Sequence, residues 1–306
     1  MMIRELMPIH LKHLKTLGRS YYTIRGAKYG LRDLVEFLET EKAPNLEDLT
    51  IDILYEYQQE LAFRVTAKGR PLALRTRAQS LSVVKAFTRF LKEQDYLVRD
   101  PGKAVKLPKK PRRLPKVILS DDEIQKLMDA PDTRTNRGYR NRIILEILYD
   151  TAIRRSELSS IRIHELDLKS GYIHVHGKGD KDRVVPLSKR VCRLVESYIT
   201  MVRPALLQGK DAGYLILNRW GQKMDPNSIW AVVKRCSYLA GIRKTVSTHT
   251  FRHTCATHML KNGAPIRHLQ EMLGHESLES TQIYTHVTIN DLKKIHAQYH
   301  PGESLK

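Results

Sequence analysis

Cysteine is scarce: Cys192, Cys236 and Cys255 are the three in 306 residues, and none forms a C-x-x-C pair. They read as reduced, buried small side chains. No apolar run approaches the roughly eighteen residues that a bilayer span requires. The first stretch, Met1 to Leu17, is broken by Arg4, Glu5, Lys12 and Lys15 and so lacks the apolar core of a secretion signal. A cytoplasmic protein with no membrane partner is the expectation. A P-loop is missing too, since Gly171 stands six positions before Gly177-Lys178, one too many, and Gly179 occupies the Ser/Thr place. That argues against ATP-driven chemistry. His174 and His176 alternate onto one strand face, but no cysteine or carboxylate completes a metal set at familiar spacing. Internal repeats and low-complexity segments are also absent.

Acidic residues are outnumbered. Lys and Arg total 53 against 33 Asp and Glu, a formal charge of +20. Self-repulsion on that scale disfavours a compact fold unless a polyanion is the normal partner, which makes nucleic acid the first candidate. A soluble protein with a merely basic surface is the plain alternative. With 41% hydrophobic and 28% charged residues, the chain is a globular mixture, and its length suits two domains.

The first domain, residues 1–100, carries a helical pattern from Ile3 to about Tyr96. Ile24, Leu31, Leu34, Val35 and Leu38 form one apolar stripe, and Leu74, Ala78, Leu81, Val84, Phe87 and Leu91 another. Thr50 can cap a third helix running from Ile51 towards Arg64. Residues 101–116 interleave Pro101, Pro108, Pro111 and Pro115 with seven lysines and arginines, which predicts an extended basic linker. The second domain, residues 117–306, opens on the capping box Ser120-Asp121-Asp122-Glu123, followed by a helix to Met128 and another from Tyr139 to Tyr149. Ile173, Val175, Val184, Val185 and Leu187 flank Gly177-Lys178-Gly179-Asp180, the pattern of a hairpin or three-stranded ribbon. Helices return near Asp225-Pro226 and from about Thr250 to Leu260; Pro265 suits the first turn of a further helix and Gly274 its C-terminal stop.

Candidate chemistry lies in the segment Thr248 to His258. His249 and Arg252 stand three apart, so on a helix they share a face and place a proton carrier beside a permanent, forked cation. Alone, the pair also fits a helix start capped for dipole reasons. Leu273-Gly274-His275 follows, and nine residues after His275 comes Tyr284 in Ser280-Thr281-Gln282-Ile283-Tyr284-Thr285-His286. This run resembles the box II signature of the tyrosine site-specific recombinases, the phage integrase family, and most closely its bacterial Xer-type members. Thr151-Ala152-Ile153-Arg154-Arg155-Ser156-Glu157-Leu158 is similar to the family's box I, in which a glycine usually stands where Ala152 is. Close packing, where one extra methyl is tolerable, is the preferred reading of that glycine; a positive φ would leave alanine strained.

The resemblance implies a mainly α fold with a small β-sheet: an N-terminal helical, SAM-like core-binding domain and a mixed α/β catalytic domain. It implies Arg154, Lys178, His249, Arg252 and His275 as catalytic groups and Tyr284 as nucleophile, with no cofactor and no metal. Those residue types suit phosphodiester exchange. Two arginines can fork onto the scissile phosphate, His275 adds a hydrogen bond, His249 exchanges a proton near the nucleophile, and Lys178 protonates the departing 5′ oxygen. A phenol attacks competently and leaves readily, so a 3′-phosphotyrosyl link conserves the bond energy and a Holliday junction can form without ATP. The implied partners are double-stranded DNA recombination sites and further protomers, as a tetramer on two duplexes or with a related recombinase. The helical pattern of Ile289, Leu292 and Ile295 between Thr288 and Tyr299 predicts a C-terminal helix that, in Xer-like relatives, packs into a neighbouring protomer. Two alternatives remain open at this point: type IB topoisomerase-like nicking and resealing, and an inactive DNA-binding accessory protein. The biological role and the DNA target sequence are not legible.

Overall fold

The computed structural model describes residues 1–67, 69–108, 117–177, 182–274 and 289–301, with side chains for all of these except 289–293. The chain divides into two compact units, Met1–Arg113 and Leu114–Lys306.

The N-terminal unit holds four long helices: α1 (Ile3–Thr16), α2 (Tyr21–Thr40), α3 (Ile51–Phe63) and α4 (Leu74–Glu93). Polar caps start two of them. Ser20 Oγ accepts the Thr23 amide and Thr50 Oγ1 accepts the Ile53 amide, each at 3.3 Å, satisfying donors that the first turn leaves without a helical partner. The two expected stripes face inward through Leu31, Leu34, Leu38, Leu81, Val84, Phe87 and Leu91, which close on Leu54, Tyr57 and Leu61 of α3. Full burial of one such side chain stabilises by about 1.5–3 kcal/mol, so the bundle stands on these contacts. Leu74, at the first turn of α4, is exposed. The basic proline stretch begins docked on this unit. Pro101 opens a 3-10 turn, Pro101–Lys103, where a missing amide is tolerated. Lys85 Nζ donates to the carbonyls of Lys103 and Val105 at 3.2 and 2.6 Å, and Val105 enters the N-terminal core.

The C-terminal unit is built round a buried helix. After α5 (Asp121–Asp129), whose expected capping box is present on both sides, α6 (Asn136–Thr151) buries nearly every residue from Ile143 to Thr151. Its apolar character runs all round because α5, α7 (Arg155–Ser160), α8 (Lys189–Ser197), α9 (Arg203–Leu206), α10 (Pro226–Leu239) and α11 (Thr248–Lys261) all pack on it. The ribbon is three-stranded and antiparallel, with β1 (Leu166–Asp167), β2 (Tyr172–His176) and β3 (Asp182–Pro186) in that order. Ile173 pairs with Val185, and Ile173 and Val175 face the core while His174 and His176 face outward. The fold also brings carboxylates to His176: its ring nitrogens lie 2.7 Å from Asp182 and 2.8 Å from Glu165. The Asp182 bond, then the Glu165 one, raise the pKa of this exposed imidazole. α12 (Ile266–Leu273) begins one residue after Pro265, which is its N-cap, and stops at Gly274 in the left-handed region, φ 61°.

The last helix, α13 (Ile289–Tyr299), lies on the unit from which it extends. Ile295 and Tyr299 pack against the hydrophobic core of this unit, and Asn262 Nδ2 donates to Tyr299 O at 2.8 Å. The three cysteines are reduced and buried. Among the described residues no helix is long and apolar enough to cross a membrane.

Candidate active site

Box I lies at the C-terminal end of α6. Ala152 caps that helix with φ 52° and ψ 24°, fully buried. The packing reading of this position is therefore corrected: the chain turns here through a left-handed residue, and the methyl carries the strain that a glycine would avoid. The turn aims the Ala152 carbonyl at Arg252, whose Nη1 donates to it at 2.9 Å. A second donor of the same guanidinium, on Nη2, holds the carbonyl of Leu273 at the end of α12. Arg252 thus joins the ends of two helices and keeps three of its five N–H groups for other acceptors. Burial, reinforced by the positive charge of Arg154, pushes its pKa down to about 10, so it remains a cation at neutral pH.

Arg154 precedes α7 and is partly exposed. Glu157, buried one turn later, fixes it twice: Oε1 accepts from Arg154 Nη1 at 2.8 Å and Oε2 accepts the Arg154 backbone amide at 2.7 Å. The same carboxylate receives Arg183 of β3 in a two-pronged bond, at 3.1 and 2.9 Å. Arg183 Nε in turn donates to the carbonyl of Met272 at 3.0 Å. Gly274 lies against this guanidinium, where a Cβ would stand 3.3 Å from Arg183 Cδ and Nε. The glycine therefore meets two demands, a positive φ and close approach. Burial pushes the Glu157 pKa up, but the Arg183 and Arg154 bonds outweigh it and hold the carboxyl below its ordinary value.

Arg154 and Arg183 bind Glu157, and Arg252 lies close enough to feel the charge of all three, so the cluster carries an excess of two positive charges. That excess, partly buried and braced by backbone carbonyls, is prepared for an anion with several oxygens, such as a phosphodiester. His249 stands exposed in the first turn of α11, on the face expected for a residue three before Arg252, and Ser247 caps that helix by accepting the Thr250 amide at 3.3 Å. Of the six sequence-predicted site residues, the structure brings Arg154 and Arg252 near enough for their charges to interact and places His249 on the helix of Arg252. Lys178, His275 and Tyr284 lie outside the described residues. Their described chain neighbours are Gly177 at the end of β2 and Gly274 beside Arg183.

Glu157 stands inside the box I motif without a role of its own there, and Arg183 lies just beyond the hairpin glycines. The three-residue spacing of Arg154 and Glu157 was an available signal, since it places a carboxylate back on its own N-cap. Arg183 carried none, because its partner lies 26 residues away in the chain.

Residues 118–291 match the model of the phage integrase family. The tyrosine recombinase XerD of Staphylococcus epidermidis is 35% identical over 284 residues, covering 93% of this chain and 94% of that protein. Among solved structures, the XerH site-specific recombinase bound to difH substrate has a TM-score of 0.66 at 23% identity, covering 93% of this chain and 82% of that one. A lambda integrase tetramer bound to a Holliday junction has a TM-score of 0.70 at 15% identity, covering 94% and 81%. These two structures share the fold. The family match over more than half of the chain and the near full-length relative agree, and the chain belongs to the phage integrase family: it is a tyrosine recombinase, an enzyme of site-specific DNA recombination.

Proposed function

We propose that Tyr284 is the nucleophile and that Arg154, Arg252, His249, His275 and Lys178 serve it on a DNA phosphate. The observation that carries this reading is Arg154, held on Glu157, and Arg252, held on the Ala152 and Leu273 carbonyls, forming one cluster with uncompensated positive charge. In the proposed step, the Tyr284 phenol oxygen forms a bond to the scissile phosphorus and the bond to the 5′ oxygen breaks. The two arginines and His275 hold the non-bridging oxygens while negative charge spreads over them. His249 exchanges the phenol proton and Lys178 delivers one to the leaving oxygen. A 5′ hydroxyl from a second strand then reverses the sequence, so the phosphoester bond is conserved and ATP is not consumed.

The substrate in this reading is a pair of double-stranded recombination sites, bound by a tetramer of this chain or by this chain with a related recombinase. The likeness to a lambda integrase tetramer on a Holliday junction supports that assembly. Residues 1–100 act as a core-type DNA-binding domain, residues 101–116 as a basic connector and residues 117–306 as the catalytic domain. The C-terminal helix couples protomers by leaving its seat on its own unit for a neighbour.

The deciding experiment uses a nicked recognition site that traps the covalent product. The parent protein forms a protein–DNA adduct in the presence of EDTA, while Tyr284→Phe binds the same site and forms none. An adduct from the phenylalanine variant removes Tyr284 from this role. Strand exchange between two duplexes separates recombination from nicking and resealing within one.

A further inference from the structure

Asp150, the last residue but one of α6, is buried with 1% of its surface exposed. Its Oδ2 accepts the Ser188 amide at 2.8 Å, whereas Oδ1 has no hydrogen-bond partner. A carboxylate oxygen in that position is costly unless a positive group meets it. The neighbouring charges do not supply one. Arg190 and Arg142 both bind Glu146, and Arg142 also binds Asp129.

Two imidazoles from the C-terminal helix face the orphaned oxygen. His296 and His300 stand one turn apart, with rings stacked at 4.6 Å and 11°. His300 Nδ1 lies 3.6 Å from Asp150 Oδ1 and His296 Nε2 lies 3.8 Å from it. Those separations exceed a hydrogen bond. They match the spacing of donor atoms round one tetrahedral ion, which for metal bonds of about 2.0–2.1 Å is roughly 3.4 Å. One donor atom from each of the three residues falls within 4.8 Å of the others.

We propose that Asp150, His296 and His300 form a structural divalent-cation site, suited to zinc, that fastens α13 to α6. The donor set is two nitrogens and one oxygen, with the fourth place for water. His300 Nε2 donates to Tyr149 O at 3.1 Å, which fixes its tautomer and leaves the lone pair on Nδ1, the atom facing Asp150; an outer carbonyl of this kind orients metal-ligating histidines. His296 Nε2 donates to Asp150 O at 2.7 Å and exchanges that carbonyl for the ion. His300 also lines a cavity of about 690 Å³ together with Leu119, His258 and Lys261. The site takes no part in the proposed phosphoryl chemistry. It acts on whether the tail stays on its own unit.

The test uses the full-length, untagged protein. Incubated with Zn²⁺ and passed through a desalting column, it retains one zinc per chain, and EDTA removes it. With Co²⁺ it develops the visible absorption of a tetrahedral nitrogen–oxygen site without a thiolate charge-transfer band. Loss of an outer partner weakens metal binding by about 10–100-fold, so loss of a ligand weakens it by more than about 100-fold; Asp150→Asn and His296→Gln both show this while circular dichroism reports an intact fold. Two results overturn the proposal. One is a parent protein that retains no stoichiometric zinc and gives no cobalt spectrum, as when a proton shared with a histidine neutralises Asp150. The other is a folded Asp150→Asn/His296→Gln double variant that retains zinc as the parent does.

Discussion

The N-terminal unit closes over leucines, phenylalanines and Tyr57, and among its described residues it buries only His10 and Thr88 of polar type. The catalytic unit buries Arg140, Glu146, Asp150, Glu157, Arg203 and Arg252. Most of these charges find fixed partners: Arg140 holds the Leu217 carbonyl at 2.9 Å, and Arg203 forks onto Asp211 at 2.7 and 2.6 Å. Charges in a core add little net stability even when paired, because desolvation opposes the attraction. What they supply is position. The N-terminal unit solves a packing problem, and the C-terminal unit accepts desolvation to hold cations in place, which in the proposed function is where a phosphate arrives.

The largest effect that sharpens this contrast is expected at Arg252. Arg252→Lys keeps the charge and loses the fork, so one ammonium cannot hold the Ala152 and Leu273 carbonyls and also serve the phosphate. Cleavage of a nicked site should fall by about 10²–10³-fold, the usual effect of removing one preorganised donor, with binding to the site little changed. Cleavage within tenfold of the parent would reduce Arg252 to a packing residue.

The corresponding weak point of the N-terminal unit is His10. It packs at 4.7 Å from Phe90 and 5.4 Å from Phe87, and its Nδ1 is buried without a hydrogen bond. Burial, then the charge of His13, pushes its pKa down to about 4 from 6.5. Between those values the unfolded chain binds a proton that the folded unit refuses, so stability rises with pH. The contribution is full above pH 6.5 and is lost as pH falls towards 4. Between pH 7 and 5 the loss is about 1–2 kcal/mol, the smaller figure allowing for solvent screening. Thermal unfolding of the parent and of His10→Leu across that range checks it. If both lose stability equally, the titrating group lies elsewhere.

The same contrast explains what the sequence made legible. Helices α2, α3 and α4 follow from apolar spacing and from the Thr50 cap, because a bundle is built from local periodicity. The α5 capping box, the start of α10 at Asp225-Pro226 and the Gly274 stop were equally local. Helix α6 shows the limit. It is buried on all sides, so spacing alone could locate it between Tyr139 and Tyr149 without showing that six helices pack on it. In the site, Arg154 and Arg252 were found through motif resemblance, whereas Arg183 and the Asp150–His296–His300 cluster depend on contacts between residues far apart in the chain. His176 was seen without its carboxylates for the same reason, since Glu165 reaches it from another element.

The smallest expected effect concerns Ala152, where packing and backbone strain meet. A left-handed L-residue costs about 1–2 kcal/mol. Ala152→Gly relieves that strain, but it loosens the unfolded chain by about 0.4–1 kcal/mol and removes a buried methyl worth about 0.8 kcal/mol. These terms nearly cancel, so the glycine variant should match the parent within about 1 kcal/mol in denaturant unfolding. Its cleavage rate should also match, because the Ala152 carbonyl that receives Arg252 belongs to the backbone and stays in place. Ala152→Val behaves differently, since a β-branched residue at φ 52° is an outlier and should destabilise the unit by more than about 2 kcal/mol. If the glycine variant instead lost more than about 2 kcal/mol, the methyl's packing would outweigh the strain, and the close-packing reading of this position would be restored.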